Sequence, residues 1–154
     1  MQSFFAGLNV RLTTLLLLGL ILVPERALRK AEFMQDNAIW PSEIRLNPEK
    51  NELTVSFGDE GSYAFSAEFL RVLSPSAEVQ GHSPDQRVTV PGKIGVLVKA
   101  IEPIGNYAIR IVFDDGHDTG LYSWEYLHEL GTEQDERWQQ YLDELKEKGL
   151  TRER

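Results

Sequence analysis

No cysteine occurs anywhere in the 154 residues. Disulfides, thiolate zinc sites, cysteine-ligated iron–sulfur clusters and a thiol nucleophile are thereby excluded together. A reducing, cytoplasmic setting agrees with this lack. Histidine is also scarce, with three residues, and cations are outnumbered: 16 Lys and Arg stand against 24 Asp and Glu, a net charge of -8. The first 33 residues carry a net +2, so the acidic excess of the remainder is -10. Such a surface repels phosphate backbones and anionic lipid, which argues against nucleic acid as a partner and against a membrane for the folded part. No glycine-rich strand-to-helix junction is present, and Gly92, Gly95 and Gly105 read as turn punctuation. Repeats and low-complexity tracts are absent too. What remains is a chain with 42% hydrophobic residues, long enough for one domain with a core of its own.

One apolar run stands out, Leu12 to Val23, "LTTLLLLGLILV". It has the length of a secretory apolar region, whereas a membrane span needs roughly 20 apolar residues. Extending it back to Phe4 buries Arg11, at a cost of about 2.5–3.5 kcal/mol in the middle of a span. "LVPERA" offers no small-x-small cleavage site. Three readings stay open for residues 1–33: an upstream extension with Met34 as the natural start, a retained anchor with its C-terminal side in the cytoplasm, and a cleaved signal. All three place the segment outside the core, which is expected within residues 34–154, and a chain begun at Met34 is expected to fold with unchanged stability.

After Met34 the pattern is short strands, then helices. Ile44/Leu46 and Leu53/Val55/Phe57 alternate at period two around "NPEKN", a hairpin. "GDEG" turns the chain into Tyr63/Phe65, and Ser66 reads as the cap of a short helix. "SPSAEVQGHSPDQR" reads as a loop, and "EPIGN" divides the apolar runs Ile94–Ile101 and Tyr107–Phe113 into a second hairpin. Ser123 caps a helix that Gly131 is placed to end, and Thr132 opens a last one with Trp138, Tyr141, Leu142 and Leu145 on one face. The expected class is α+β: a small, mainly antiparallel sheet built from hairpins, with helices packed on it and at the C-terminus.

"FDDGHDTGLYSWEYL", Phe113–Leu127, gathers three acids and a histidine before three aromatics. As structure it is a hairpin: Asp115-Gly116 suits a primed turn, Asp114, Asp115 and Asp118 are solvated, and Trp124 and Leu127 are core. As chemistry, His117, Asp114, Asp115 and distant His82 would bind a metal or small ligand. The spacing matches neither the twelve-residue calcium loop nor a facial iron triad. His82 reads as an exposed loop residue and His128 as a surface pair with nearby acids. No nucleophile–base–orienter chain can be assembled. On the structural reading His117→Asn leaves folding nearly unchanged and Gly116→Val does more harm.

The motifs "PSEIRL", "LRVLSPSAEVQGH", "IEPIGNYAIRIVFDDGHDTGLYSWEYL" and a closing "LG" cover most of the chain after Met34. Together they resemble the DUF971 family, the gamma-butyrobetaine-hydroxylase-like N-terminal domain. The resemblance implies a small α+β domain that stands alone in bacteria, precedes the oxygenase domain of carnitine-pathway hydroxylases, or joins P-loop iron–sulfur carriers in plastids. In the hydroxylases this domain resembles a zinc module with a Cys-Pro-Cys-x-x-Cys run and a later histidine. Those cysteines fall here on Ser74, Ser76 and Val79, and the histidine on His117. Serine hydroxyls are poor zinc ligands and valine is none, so no zinc or other cofactor is expected. The hydroxylases' catalytic domain is missing, so no enzyme activity is expected either. The expectation is a non-catalytic accessory domain engaging a protein partner in iron–sulfur handling or an oxygenase system, through Asp114, Asp115, His117, Asp118 and Tyr122. The rival is a metal- or small-ligand-binding module centred on His117.

Overall fold

Alternating β-branched and aromatic residues build six short strands, and two serines start helices after them. The computed structural model describes residues 39–83 and 86–153. The expectations for residues 1–33 lie outside the described residues. Strands β1 (Glu43–Leu46), β2 (Glu52–Ser56) and β3 (Ser62–Ser66) form one antiparallel sheet in that order. Strands β4 (Val98–Ile104), β5 (Ala108–Phe113) and β6 (Leu121–Ser123) form another. The class is α+β and antiparallel, with two three-stranded sheets where the hairpin count alone suggested one. They share an apolar core: Leu53, Val55 and Phe65 from the first meet Val98, Ile109, Ile111, Phe113 and Tyr122 from the second. The Val98 amide donates to the Lys50 carbonyl (2.8 Å), joining β4 to the turn of the first hairpin.

Helices α1 (Ala67–Val72), α2 (Ala77–Gln80), α3 (Trp124–Thr132) and α4 (Gln134–Glu147) complete the fold. Ser66 and Ser123 cap α1 and α3, their hydroxyls accepting from the amides of Phe69 (3.1 Å) and Tyr126 (3.2 Å). Helix α2 occupies part of the segment expected to be loop. Gly131 does not end α3 but lies inside it, because a Cβ there would fall 2.3 Å from the Tyr63 ring. The glycine serves close approach of helix to strand. Thr132 does not open the last helix: its hydroxyl donates back to the Glu129 carbonyl, and Glu133 is the capping residue of α4.

On α4, Tyr141 and Leu145 are buried and Trp138 and Leu142 pack against the core, the face the spacing predicted. Trp124 and Trp138 are half-buried instead of fully enclosed. Trp124 donates its indole N–H to the Asn106 carbonyl (2.8 Å), and Trp138 packs on Phe69 and Tyr141 with the Arg152 guanidinium 5.0 Å from its ring. Arg152 also makes a two-pronged bond to buried Glu68, with N–O distances of 2.9 and 2.6 Å. No helix among the described residues is long and apolar enough to cross a membrane.

Candidate functional site

The β5–β6 connection closes through Phe113, whose carbonyl accepts from the Gly116 amide (3.2 Å) and whose amide donates to the His117 carbonyl (2.9 Å). Asp114, Asp115 and Gly116 thus form a three-residue loop, and Gly116 takes its left-handed position at φ +89°. The expected two-residue primed turn is replaced by this longer loop, but the requirement for glycine at 116 is the same.

Asp115 is not solvated. Its carboxylate accepts from Arg71 Nε of α1 (2.9 Å), from Lys93 Nζ and from the His117 amide (3.2 Å), and is almost fully enclosed. Burial pushes this carboxyl up, but Lys93, the His117 amide and Arg71 together outweigh it. Asp115 therefore titrates below the ordinary aspartate range.

His117 is 6% exposed and bonded at both ring nitrogens. Nδ1 lies 3.1 Å from the Glu78 carboxylate of α2, and Nε2 lies 2.8 Å from Oγ of Ser74, which is 0% exposed. A carboxylate only accepts, so the neutral ring that satisfies both partners carries its proton on Nδ1 and receives the Ser74 hydroxyl at Nε2. Burial and the Arg71 charge hold the imidazole below its ordinary pKa, against the opposing pull of Glu78 and Asp115. The ring is uncharged near neutrality.

Serine, histidine and glutamate in this order resemble an activated nucleophile. Access denies that role. A Cβ on Gly120 would lie 2.3 Å from Ser74 Oγ, so backbone is packed where a substrate would have to approach. A reacting carbon must come within about 3–3.5 Å of the nucleophile. The chain of bonds instead ties the α1–α2 loop and α2 to the hairpin.

The other sequence candidates disperse. His82 is exposed on its loop. His128 lies 3.5 Å from Glu60 and packs edge-on against Phe57 and Tyr63. Tyr122 is 0% exposed, and its hydroxyl donates to the Leu70 carbonyl (2.7 Å), so it cannot meet a partner. Asp115 and His117 are turned inward as well. Of the five proposed contact residues, only Asp114 and Asp118 face solvent. The Asp114 amide donates to the Leu97 carbonyl and the Asp114 carboxylate accepts from the Leu97 amide, each at 3.0 Å. That pairing sets Leu97 (37% exposed) beside the acidic turn; Ile94 (51% exposed), three residues earlier, donates its amide to the Arg152 carbonyl. The apolar run Ile94–Ile101 suggests a strand from its first residue, but the strand starts only at Val98.

Among the described residues no group of three or more His, Asp or Glu could hold a metal ion. A surface hollow of about 560 Å³ lies along α4 and is lined by Glu136, Gln139, Gln140, Asp143, Glu144 and Glu147. It contains none of the hairpin residues, and its lining holds only carboxylates and carboxamides.

Residues 44–128 match the family model described as gamma-butyrobetaine hydroxylase-like, N-terminal. Two proteins with NMR solution structures are similar over most of their length. One is 49% identical, with 74% of this chain and 90% of that one covered and a TM-score of 0.65. The other is 42% identical, with 77% and 88% covered and the same TM-score. A crystal structure of a DUF971-family protein of unknown function from Acidithiobacillus ferrooxidans is 34% identical, covering 60% of this chain and 93% of that one, with a TM-score of 0.50. No curated protein matches.

Proposed function

The chain belongs to the gamma-butyrobetaine hydroxylase-like N-terminal family, DUF971, and on that premise we propose that it is a non-catalytic domain that binds a protein partner in the cytoplasm. One observation carries this reading. The reactive side chains of the candidate site are spent on one another inside the fold, while apolar Leu97, tied to acidic Asp114, and Ile94 three residues before it stand exposed. An apolar pair rimmed by acid suits a partner presenting an apolar anchor flanked by lysine or arginine. The acidic excess would steer such a partner in. The contexts of the resembling proteins direct the search to iron–sulfur protein handling and to oxygenases.

The test is affinity capture from the native cell with the full-length chain tagged at its C-terminus, run beside Ile94→Asp/Leu97→Asp. Partner binding is expected to fall at least about tenfold in the variant, an anchor-sized loss, with the melting temperature unchanged. A partner held equally well by the variant, or a turnover activity lost with Ser74→Ala, would refute the reading.

A further inference from the structure

Ser74, Ser76, Val79 and His117 are all buried, and Ser74 ties the α1–α2 loop to the hairpin. Ser74 Oγ is 2.8 Å from His117 Nε2 and 3.4 Å from the Ser76 amide. The Ser76 hydroxyl is buried and, among the described residues, has no hydrogen-bond partner. Val79 is buried yet stands outside the main apolar cluster. His117 donates its Nδ1–H to the Glu78 carboxylate in a hydrogen bond and accepts from the Ser74 hydroxyl at Nε2. A metal-bound histidine is oriented this way, its far nitrogen tied to a carboxylate. In a tetrahedral site, bond lengths of about 2.3 Å to sulfur and about 2.0 Å to nitrogen set neighbouring ligand atoms roughly 3.5 Å apart. The 2.8 Å between Ser74 Oγ and His117 Nε2 is shorter than that and is an ordinary hydrogen-bond length.

The donors nevertheless do not fit zinc. Two neutral hydroxyls and an isopropyl group offer no anionic sulfur to balance a dication in the interior, and the Ser74 hydroxyl already occupies the histidine lone pair. We infer that this cluster is a metal-free clamp in which the Ser74–His117 hydrogen bond stands where a metal ion would, so that supplying thiolate donors at these positions, with the pair opening by a fraction of an ångström, creates a metal site. Placement and donor chemistry are thereby separated: Ser74 and His117 still meet, and the thiolates are lacking.

The experiment uses the full-length chain and cobalt(II) as the probe, followed by visible absorption and by metal analysis after growth with zinc. The wild type is expected to hold no stoichiometric zinc, to keep its melting temperature on adding a chelator, and to give no tetrahedral cobalt bands. Ser74→Cys/Ser76→Cys/Val79→Cys is expected to bind one equivalent of cobalt with tetrahedral and thiolate charge-transfer bands that vanish when His117→Ala is added. Because three changes in a buried place can impair folding, Ser74→Cys/Ser76→Cys is measured in parallel, with weaker but still His117-dependent bands expected. One zinc per wild-type chain with a chelator-sensitive melting temperature would overturn the inference. So would the absence of His117-dependent cobalt bands in both cysteine variants.

Discussion

Two hairpin turns in this protein look alike in sequence and are used in opposite ways. In the first, Asn47–Asn51, the Asn47 carboxamide accepts from the amides of Asn51 and Glu52 at 3.0 Å each, and these groups stay in contact with water. In the second, Asp114–His117, an aspartate with the same local role is enclosed and shared between two cations from distant segments. Both turns satisfy their own backbone; the first meets its neighbours through backbone bonds to Lys50 and Asn51, and only the second fastens distant elements through charged side chains. Turn chemistry is local, whereas the worth of a turn depends on what packs over it.

The largest effect is expected from Asp115→Ala, which leaves the enclosed Arg71 guanidinium without its counter-ion. A loss of about 3–5 kcal/mol is predicted, read from urea unfolding. Gly116→Val forces a β-branched residue to φ +89°, and a loss of about 2–3 kcal/mol is predicted in the same assay. His117→Asn follows at about 1–2 kcal/mol, because both ring bonds lie inside and Ser74 loses its acceptor. That differs from the near-silent substitution expected of a solvated turn, though the order of glycine above histidine is kept.

The pH response should be smaller again. Since His117 is held below 6.5 when folded, the unfolded chain binds more protons, and stability falls as pH drops below about 6.5. The same slope is expected to disappear in His117→Asn, measured by urea midpoints from about pH 7.5 to about 5. Asp115 adds a second loss only below its ordinary 3.8, as pH falls through its lowered folded pKa. Least of all, Asn47→Ala should cost about 1 kcal/mol or less, because water replaces the carboxamide at an exposed turn. A cost at Asn47 equal to that at Asp115 would erase the distinction between the turns.

What the sequence reveals follows the same division. Period-two alternation, the serine caps at 66 and 123 and the glycine at 116 are decided within a few residues, and they are legible. Asp115 meets Arg71 across 44 residues and Lys93 across 22, and His117 meets Ser74 across 43. Nothing in the local pattern announces those meetings, so Asp115 reads as solvated alongside Asp114 and Asp118 when it alone of the three is enclosed. Gly131 misleads for a related reason: glycine commonly ends a helix, but here the Tyr63 ring from another strand demands it within one. The alignment of Ser74, Ser76, Val79 and His117 with a ligand set was the one clue that the loop and the hairpin meet.

The most direct test of an enclosed, internally bonded turn is the imidazole of His117, followed by nitrogen NMR in the full-length chain as pH is lowered. The account predicts a single tautomer protonated at Nδ1, titrating with a midpoint below 6.5. Averaging between the two tautomers, or a midpoint at or above 6.5, would mean that the ring is free in solvent and would contradict the buried Ser74–His117–Glu78 chain.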